Sequence, residues 1–222
     1  SCSGHYVICD VGKIGPDYLP GHAHGDALSF ELSIRGQRVF TDTGVYDYEL
    51  SNERAWSRST KAHNTVTVDG LNQAEFWGAF RVARRPRRVR VKRWECHESG
   101  FELCADHDGF AQQGCPARHQ RTFAFNEASG MLIKDEVLAR KEVKVRVAFH
   151  LHPDCEVKMN GAERAEICLG EESVRFEVEG EGELVLERSP YFPEFNRSVH
   201  RACLIYRCEG ESVRVLTRIA WS

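Results

Sequence analysis

The 222-residue sequence lacks any run of about 20 apolar residues, the length that a membrane-spanning helix needs. It contains nine cysteines but no C-x-x-C pair, so the spacing typical of a cysteine-ligated zinc site is absent. It also lacks any segment in which helical periodicity persists over a dozen residues. The sequence therefore predicts no membrane span, no cysteine-type zinc module and no helical bundle.

Charge of one sign is also lacking overall, since the formal net charge is only −3. Its distribution is uneven, because eight basic residues and no acidic residue lie between Arg81 and Arg93. Such a run suits a polyanion, either an acidic polysaccharide or a nucleic acid, but a strand with solvated arginines explains it equally well. No aromatic RNP segment or zinc knuckle accompanies it, so we predict no nucleic-acid partner.

Short β-rich segments fill most of the chain. Residues 27–34 and 37–42 are rich in strand-forming side chains and are separated by Arg35 and Gly36, which indicates a hairpin. Further segments follow at a spacing of roughly 8–12 residues, with Gly, Asn, Asp or Pro between them. We therefore predict an all-β fold, an antiparallel β-sandwich that forms a single domain over residues 1–222.

The segment "GHAHGDALSF", residues 21–30, places His22, His24 and Asp26 at alternate positions. In a strand these three side chains would leave the same face, and the adjacent glycines would leave room for a ligand or another backbone. Asp42 ends one predicted strand and His63 precedes another. Zinc accepts imidazole nitrogens and carboxylate oxygens, and such ligands usually come from neighbouring strand ends.

These residues belong to three motifs: H-x-H-x-D at 22–26, D-x-G-x-Y at 42–46 and H-N-T-V at 63–66. Together with the looser segments "ADHDGF", "FHLHPD" and "SPYFPEFNRSVH", they resemble the heparinase II/III-like C-terminal domain of polysaccharide lyases. The resemblance covers nearly the whole chain. It implies a β-sandwich of the multi-sheet supersandwich type, which normally follows an N-terminal (α/α) toroid. Residues 1–222 are then expected to be the C-terminal part of a larger lyase.

The resemblance also implies roles for individual residues. His22 matches a catalytic histidine of the active-site cleft. The ligands of a Zn²⁺ ion are matched by His24, Asp42 and His63. We expect Asp26 to orient an imidazole from behind the ligands.

Four further residues are expected to contact substrate. Tyr46 and Tyr48 follow Asp42 and are expected to line the cleft. Arg58 and Arg81 could pair with carboxylate or sulfate oxygens, although surface salt bridges explain both arginines at least as well.

The implied activity is β-elimination in a uronic-acid-containing polysaccharide, with the toroid domain and the acidic substrate as partners. Because only His22 has family support as a catalytic group, we expect the isolated domain to be inactive. The alternative is a non-catalytic, metal-stabilised carbohydrate-binding or structural module. The resemblance suggests the periplasm or cell envelope, whereas the unpaired cysteine count favours a reducing compartment such as the cytoplasm.

Overall fold

The computed structural model describes residues 4–221 and confirms the all-β prediction. Strands account for 58% of the structure and helices for 8%. Within the described range the helices are α1 (Asn52–Arg58) and α2 (Gly109–Gln112), with 3-10 turns at Pro20–His22 and Thr60–Ala62. None of these helices is long and apolar enough to cross a membrane. The eight cysteines in this part of the chain are free.

Fifteen strands lie between residues 4 and 221. In chain order they are β1 (Tyr6–Cys9), β2 (Phe30–Ile34), β3 (Gln37–Phe40), β4 (Val66–Val68), β5 (Phe76–Trp77), β6 (Arg81–Val82), β7 (Val89–His97), β8 (Gly100–His107), β9 (Ala117–Asn126), β10 (Gly130–His150), β11 (Glu156–Met159), β12 (Arg164–Leu169), β13 (Glu172–Glu179), β14 (Gly182–Glu194) and β15 (Arg197–Trp221). Their pairings within each sheet are all antiparallel.

The two longest strands, β10 and β15, pair with each other and form the spine of a ten-stranded sheet. The first half of β10 pairs with β9, and its second half pairs with β4. In the same way β15 pairs first with β14 and then with β13. The pairing partners of β10 and β15 change where the register between these two strands shifts, between Leu138 and Val143. The β10–β15 pair therefore belongs to two regions of the sheet.

A three-stranded sheet of β1, β2 and β3 packs on the large sheet through an aromatic core. Phe30 and Phe40 of the small sheet lie 5.5 Å apart between ring centroids. Phe30 reaches Phe123 at 6.2 Å, and Phe149 meets Phe176 at 4.9 Å, both edge to face. Since all five rings are at most 2% exposed, the contact of the two sheets is the hydrophobic core.

The turn after β2 confirms the predicted hairpin. Arg35 and Gly36 have φ values of 49° and 80°, as a two-residue turn with both central residues in the left-handed region requires. The strand itself starts later than predicted, at Phe30 rather than at Ala27. Leu28 has a φ of 60° and donates its amide to the Asp10 carbonyl at 2.8 Å, so this part of the chain turns instead of extending.

The basic run between residues 81 and 93 makes ion pairs within the domain. On β7, Arg90 and Lys92 both contact Asp106 at 2.7 and 3.0 Å, and Arg93 contacts Glu102 at 2.6 Å. Ion pairs of this kind are expected on a strand whose basic side chains face solvent. Alternation along such a strand would turn Val91 towards the core, but β7 lies at the edge of the sheet and Val91 is 46% exposed.

A buried ionic network joins the large sheet to the irregular segments before and after α1. Asp135 accepts two hydrogen bonds from the guanidinium of Arg121, at 2.7 and 3.0 Å, and one from His119 at 2.7 Å. A third nitrogen of Arg121 donates to the carbonyls of Leu28 and Asn64 at 2.8 and 2.6 Å. One guanidinium therefore fixes the segments on either side of the candidate site.

The hydrogen bonds of His107 and His119 determine their tautomers. The Gly109 amide donates to Nδ1 of His107 at 3.1 Å, so the proton of neutral His107 is on Nε2, 3.4 Å from Nδ1 of His119. His119 then carries its proton on Nε2, facing Asp135. Burial, and second the neighbouring His119, hold the pKa of His107 well below its usual range.

This network predicts a pH-dependent stability. Below pH about 6.5 the unfolded chain binds a proton at His107 that the folded chain does not bind, so stability is lost as the pH falls. We expect His107→Gln to be less stable than the unsubstituted protein at pH 7.5, and this deficit in unfolding free energy to shrink by about 1 kcal/mol at pH 5.5. Urea unfolding at both pH values measures the difference. His200→Gln, at an exposed position of β15, is the control. A deficit of equal size at both pH values would contradict the assignment.

Candidate active-site cleft and metal centre

The H-x-H-x-D segment is not the strand that its alternation predicted. Residues 20–22 form a 3-10 turn, and Ala23 continues in extended conformation with φ −66° and ψ 142°. The alternation of burial nevertheless persists, because the small residues point inward and the functional ones point outward. Buried are Gly21, Ala23, Gly25 and Ala27; more exposed are His22, His24 and Asp26.

Gly25 is required by a close approach of another segment, as one of the two sequence interpretations expected. A Cβ atom at this position would overlap the Thr60 hydroxyl and lie 3.2 Å from the Thr60 amide nitrogen. The Gly25 amide donates to the carbonyl of Arg58 at 2.9 Å. The histidine segment is therefore pressed against the chain that follows α1, which carries His63.

His24, Asp26 and His63 form a cluster of metal-capable groups. One potential ligand atom from each lies within 4.8 Å of the other two, and the two imidazole centroids are 5.4 Å apart. His63 follows the 3-10 turn Thr60–Ala62 and is fully buried. The structure thus brings His24 and His63 together, as the sequence prediction expected, whereas the carboxylate in this cluster is Asp26.

Asp42, the predicted carboxylate ligand, contacts the other side of His63. Its Oδ1 atom lies 2.5 Å from Nδ1 of His63. This bond leaves Nε2 of His63 buried, without a hydrogen-bond partner among residues 4–221. A buried imidazole nitrogen with a free lone pair, beside a second imidazole and a carboxylate, fits a metal ion of the zinc type.

The electrostatics of the four groups agree with metal binding. Burial, and second the charge of His63, lower the pKa of His24 to about 3, so its imidazole is neutral and can act as a ligand. Burial raises the pKa of Asp26 to about 6. Burial opposes ionisation of Asp42 and His63, but their mutual attraction and hydrogen bond dominate, lowering the pKa of Asp42 and raising that of His63.

The sequence analysis missed Arg54, which supports this segment from α1. Its guanidinium donates to Nε2 of His24 at 3.2 Å, to the Gly21 carbonyl at 3.1 Å and to the Ala79 carbonyl at 3.0 Å. It also lies 4.8 Å from the ring centroid of Tyr48. The signal in the sequence was the i, i+4 spacing of Arg54 and Arg58, which places both on one face of a helix.

Arg58 was predicted to contact substrate or form a surface salt bridge, and its placement supports neither role. Its side chain is fully buried and donates to the carbonyls of Ala23, Gly78 and Arg81 at 3.0–3.2 Å. It also packs over Phe76 at 4.6 Å. The physical reason is that these turns leave carbonyls without strand partners, and Arg58 supplies the donors.

His22 and Tyr48 lie together on an aromatic wall. The two rings meet edge to face at 4.9 Å, and Phe80 and Phe195 contact Tyr48 at 6.1 and 5.5 Å. His22 is exposed, and its ring nitrogens have no hydrogen-bond partner in the described part of the chain. Arg81 is exposed next to Phe80, and its guanidinium forms no ion pair within residues 4–221. These placements are compatible with a cleft that binds substrate.

The D-x-G-x-Y segment is held against β14 by main-chain contacts. Gly44 has a φ of 75°, and a Cβ atom there would overlap the Phe192 carbonyl oxygen. The Phe192 amide donates to the Thr43 carbonyl at 2.8 Å, and the Phe192 ring packs on Tyr46 at 5.3 Å. Tyr46 is thus half-buried against Phe192 of β14.

Arg201, also missed by the sequence analysis, fixes the strand end that carries Asp42. It donates to the Thr41 carbonyl at 2.9 Å and to the Asp42 carbonyl at 2.8 Å. Nearby, His150 bridges Ser189 and the Lys61 carbonyl, both at 2.9 Å. These two residues support the cluster of His24, Asp26 and His63 rather than belong to it.

The comparisons with known proteins agree with this architecture. The sequence profile described as "Heparinase II/III-like, C-terminal" matches residues 3–222. A curated relative, the heparin-sulfate lyase of Bacteroides stercoris, is 24% identical over 145 residues, which cover 64% of this chain and 19% of the relative.

Solved structures show the same fold. The crystal structure of heparinase III has a TM-score of 0.81 at 16% identity, over 98% of this chain and 33% of that chain. A heparan sulfate lyase HepC mutant from Pedobacter heparinus has a TM-score of 0.78 at 17% identity, over 97% and 33%. The chain thus spans about a third of these longer proteins, consistent with a further domain as partner. The profile match over nearly all of its length shows that the chain belongs to the heparinase II/III-like C-terminal domain family.

Proposed function

We propose that this chain forms one wall of the active-site cleft of a polysaccharide lyase that cleaves uronic-acid-containing chains by β-elimination. The observation that carries the proposal is the exposed His22, which is separated by one residue from His24 of the partly buried cluster of metal-capable groups. The names of the curated relatives support the reaction class. The periplasm or cell envelope remains the proposed location, and an acidic polysaccharide the proposed substrate.

The proposed reaction removes the proton at C5 of the uronic acid and breaks the bond between C4 and the bridging oxygen. The electron pair of the C5–H bond forms the C4–C5 double bond, a base takes the proton, and an acid protonates the leaving oxygen. Negative charge builds on the substrate carboxylate and must be neutralised. His22 can act as the base or neutralise the carboxylate, and Arg81 can pair with an anionic oxygen.

His22 is suited to this role because its backbone is rigid while its ring is accessible. The Gly21 carbonyl is held by Arg54, and the ring rests on Tyr48. Preorganisation of this kind matters because a misplacement of about 1 Å can reduce a rate by a factor of about 100. The same guanidinium also binds His24, so the metal cluster and the His22 turn share one support.

We propose further that His24 and His63 hold a zinc ion together with a carboxylate. Asp42 is the ligand that the family resemblance implies, and Asp26 is the carboxylate that offers an oxygen within 4.8 Å of a nitrogen of each imidazole. When bound, zinc supplies a positive charge that fixes the histidine segment and the strand end in one arrangement. His63 presents Nε2 to this position, while Asp42 holds its Nδ1 proton.

Metal analysis tests the zinc proposal. We expect about one equivalent of zinc per purified chain, lost in His24→Ala and in His63→Ala. A chelator is expected to lower the melting temperature of the unsubstituted protein, because the ion binds only the folded state. Protein that holds no zinc after dialysis without chelator would disprove the assignment.

Amide variants of Asp26 and Asp42 distinguish which of the two carboxylates is the zinc ligand. Asp42→Asn is expected to weaken zinc binding by at least about tenfold, since Asp42 either binds the ion or fixes the tautomer of His63. Asp26→Asn is expected to retain zinc if Asp42 is the ligand. Loss of the ion in Asp26→Asn would instead transfer the ligand role to Asp26.

The lyase proposal predicts a specific defect for His22→Ala. In the full-length lyase that carries this domain, turnover is expected to fall by about 10²–10⁴-fold, the usual effect of losing one acid–base group. Zinc content and melting temperature should be unchanged because His22 is exposed and outside the metal cluster. The absorbance of the unsaturated uronate product measures the rate.

Two controls accompany this assay. His200→Ala removes an exposed histidine of β15 and is expected to keep full activity. Residues 1–222 alone are expected to be inactive, because His22 is the one catalytic group with family support in this chain. Robust product from the isolated chain would contradict the proposal that a further domain completes the cleft. Tyr46 and Tyr48 would then be the first candidates for a second catalytic group. A full-length His22→Ala with normal turnover would disprove the role of His22.

A further inference from the structure

A groove of about 470 Å³ lies on the large sheet where β4, β10, β15 and the start of β14 run side by side. Arg146 lies on its floor and alternates along β10 with Val145 and Val147, two residues of the core. Its side chain therefore leaves the face of the sheet opposite to the core. The groove is separate from the His22 wall and contains no residue of the metal cluster.

Two guanidinium groups lie next to each other on the floor of this groove. The strand register places Thr67, Arg146 and Arg207 directly opposite one another on β4, β10 and β15. Directly opposed like charges destabilise a sheet. A single carboxylate, Glu187, serves both arginines: it lies 3.5 Å from Nη2 of Arg146 and also pairs with Arg207. On the other side of Arg207 the register places Glu183 of β14, which forms no ion pair with it, so the two guanidinium groups share one paired carboxylate.

Two polar atoms of the floor have no partner. Nη1 of Arg146 and the hydroxyl of Thr67 are buried and make no hydrogen bond within residues 4–221. Thr67 is only 1% exposed. A buried donor that is left unpaired destabilises the folded state. In the absence of a ligand this arrangement destabilises the fold. With a ligand bound, the same two atoms can donate hydrogen bonds to an anionic oxygen.

The two sides of the groove differ in charge. Lys61 and Lys144 line it on the side of β4 and β10, and Glu181 and Glu183 line it on the side of β14. All four side chains are exposed, and none forms an ion pair in the described part of the chain. Glu209 of β15 also lines the groove, lies opposite Lys144 in the strand register and is likewise exposed. The lysines suit an anionic group, whereas the carboxylates can accept hydrogen bonds from hydroxyl groups.

We propose that this groove is a second binding site, for a sugar that carries an oxyanion, either a carboxylate or a sulfate. The anionic oxygen pairs with Nη1 of Arg146, the Thr67 hydroxyl and the lysines. The ring hydroxyls donate to Glu181 and Glu183. The choice of a sugar rests on the proposed function, whereas the choice of an oxyanion rests on the groove alone.

The proposal is tested by NMR: each probe is titrated into the isotope-labelled protein at constant ionic strength, and the backbone amide chemical shifts are followed. The probes are sodium glucuronate, glucose 6-sulfate, glucose and inorganic sulfate. We expect saturable shifts at Arg146 and Arg207 with the two acidic sugars, weaker binding of inorganic sulfate, and none of glucose. The shifts at Phe80 report the His22 wall separately, so failure of this proposal and failure of the lyase proposal are distinguishable.

Three variants sharpen the test. Thr67→Val keeps the shape of the side chain and removes the unpaired hydroxyl, so we expect about tenfold weaker binding together with a higher melting temperature. Lys144→Ala is expected to weaken binding without loss of stability. The control is Lys158→Ala, which removes an exposed lysine of β11 outside the groove and should leave affinity unchanged.

Several outcomes would overturn the proposal. The absence of saturable shifts at Arg146 and Arg207 with either acidic sugar would exclude the site. Glucose bound as tightly as glucuronate would exclude the role of the oxyanion. Inorganic sulfate bound as tightly as the acidic sugars would reduce the groove to a simple anion site. Equal affinity in Thr67→Val would show that the hydroxyl does not contact the ligand.

Discussion

The candidate site depends on buried guanidinium groups that bind main-chain carbonyls. The segments that carry the functional residues are turns and extended loops, so their carbonyls have no strand partners, and buried carbonyls require donors. Four arginines, each at most 2% exposed, supply them: Arg54, Arg58, Arg121 and Arg201. Arginine suits this task because its fork presents five donors in fixed directions. Only Arg121 has a carboxylate partner among the described residues, which makes the other three binders of backbone rather than members of ion pairs.

This constraint explains why two imidazoles stand one residue apart. His22 and His24 flank Ala23 in a segment whose backbone is held by two arginines. Arg54 binds the Gly21 carbonyl, and Arg58 binds the Ala23 carbonyl. Because Ala23 between them is extended and buried, neither ring enters the core: His24 belongs to the cluster of metal-capable groups, and His22 is exposed. A displacement of the cluster would move the exposed ring as well. Helix α1 therefore anchors the segment that carries His22 and His24 through Arg54 and Arg58.

The sequence predicted local features well and non-local ones poorly. The hairpin at Arg35 was predictable because its turn chemistry lies in adjacent residues. In the long strand β10 the pairing register with β15 shifts after Leu138, and that shift depends on a strand that is distant in the sequence. Buried arginines were missed for a similar reason: Arg58 resembles a surface arginine until the loop that covers it is known. The pairing of Asp42 with His63 likewise depends on how two distant strand ends meet.

The charge balance around the metal cluster limits what it can bind. Arg201 donates to the main chain beside Asp42, and the charge of Asp42 in turn raises the pKa of His63. Without a cation at its Nε2 atom, His63 must either leave a lone pair buried or bury an unpaired N–H group when protonated. Burial of Asp26 raises its pKa to about 6, so near neutral pH a second negative charge faces the same space. Two carboxylates and two imidazoles gathered in this way balance a divalent cation better than they balance a proton, and this is the strongest physical reason to regard the cluster as a metal centre.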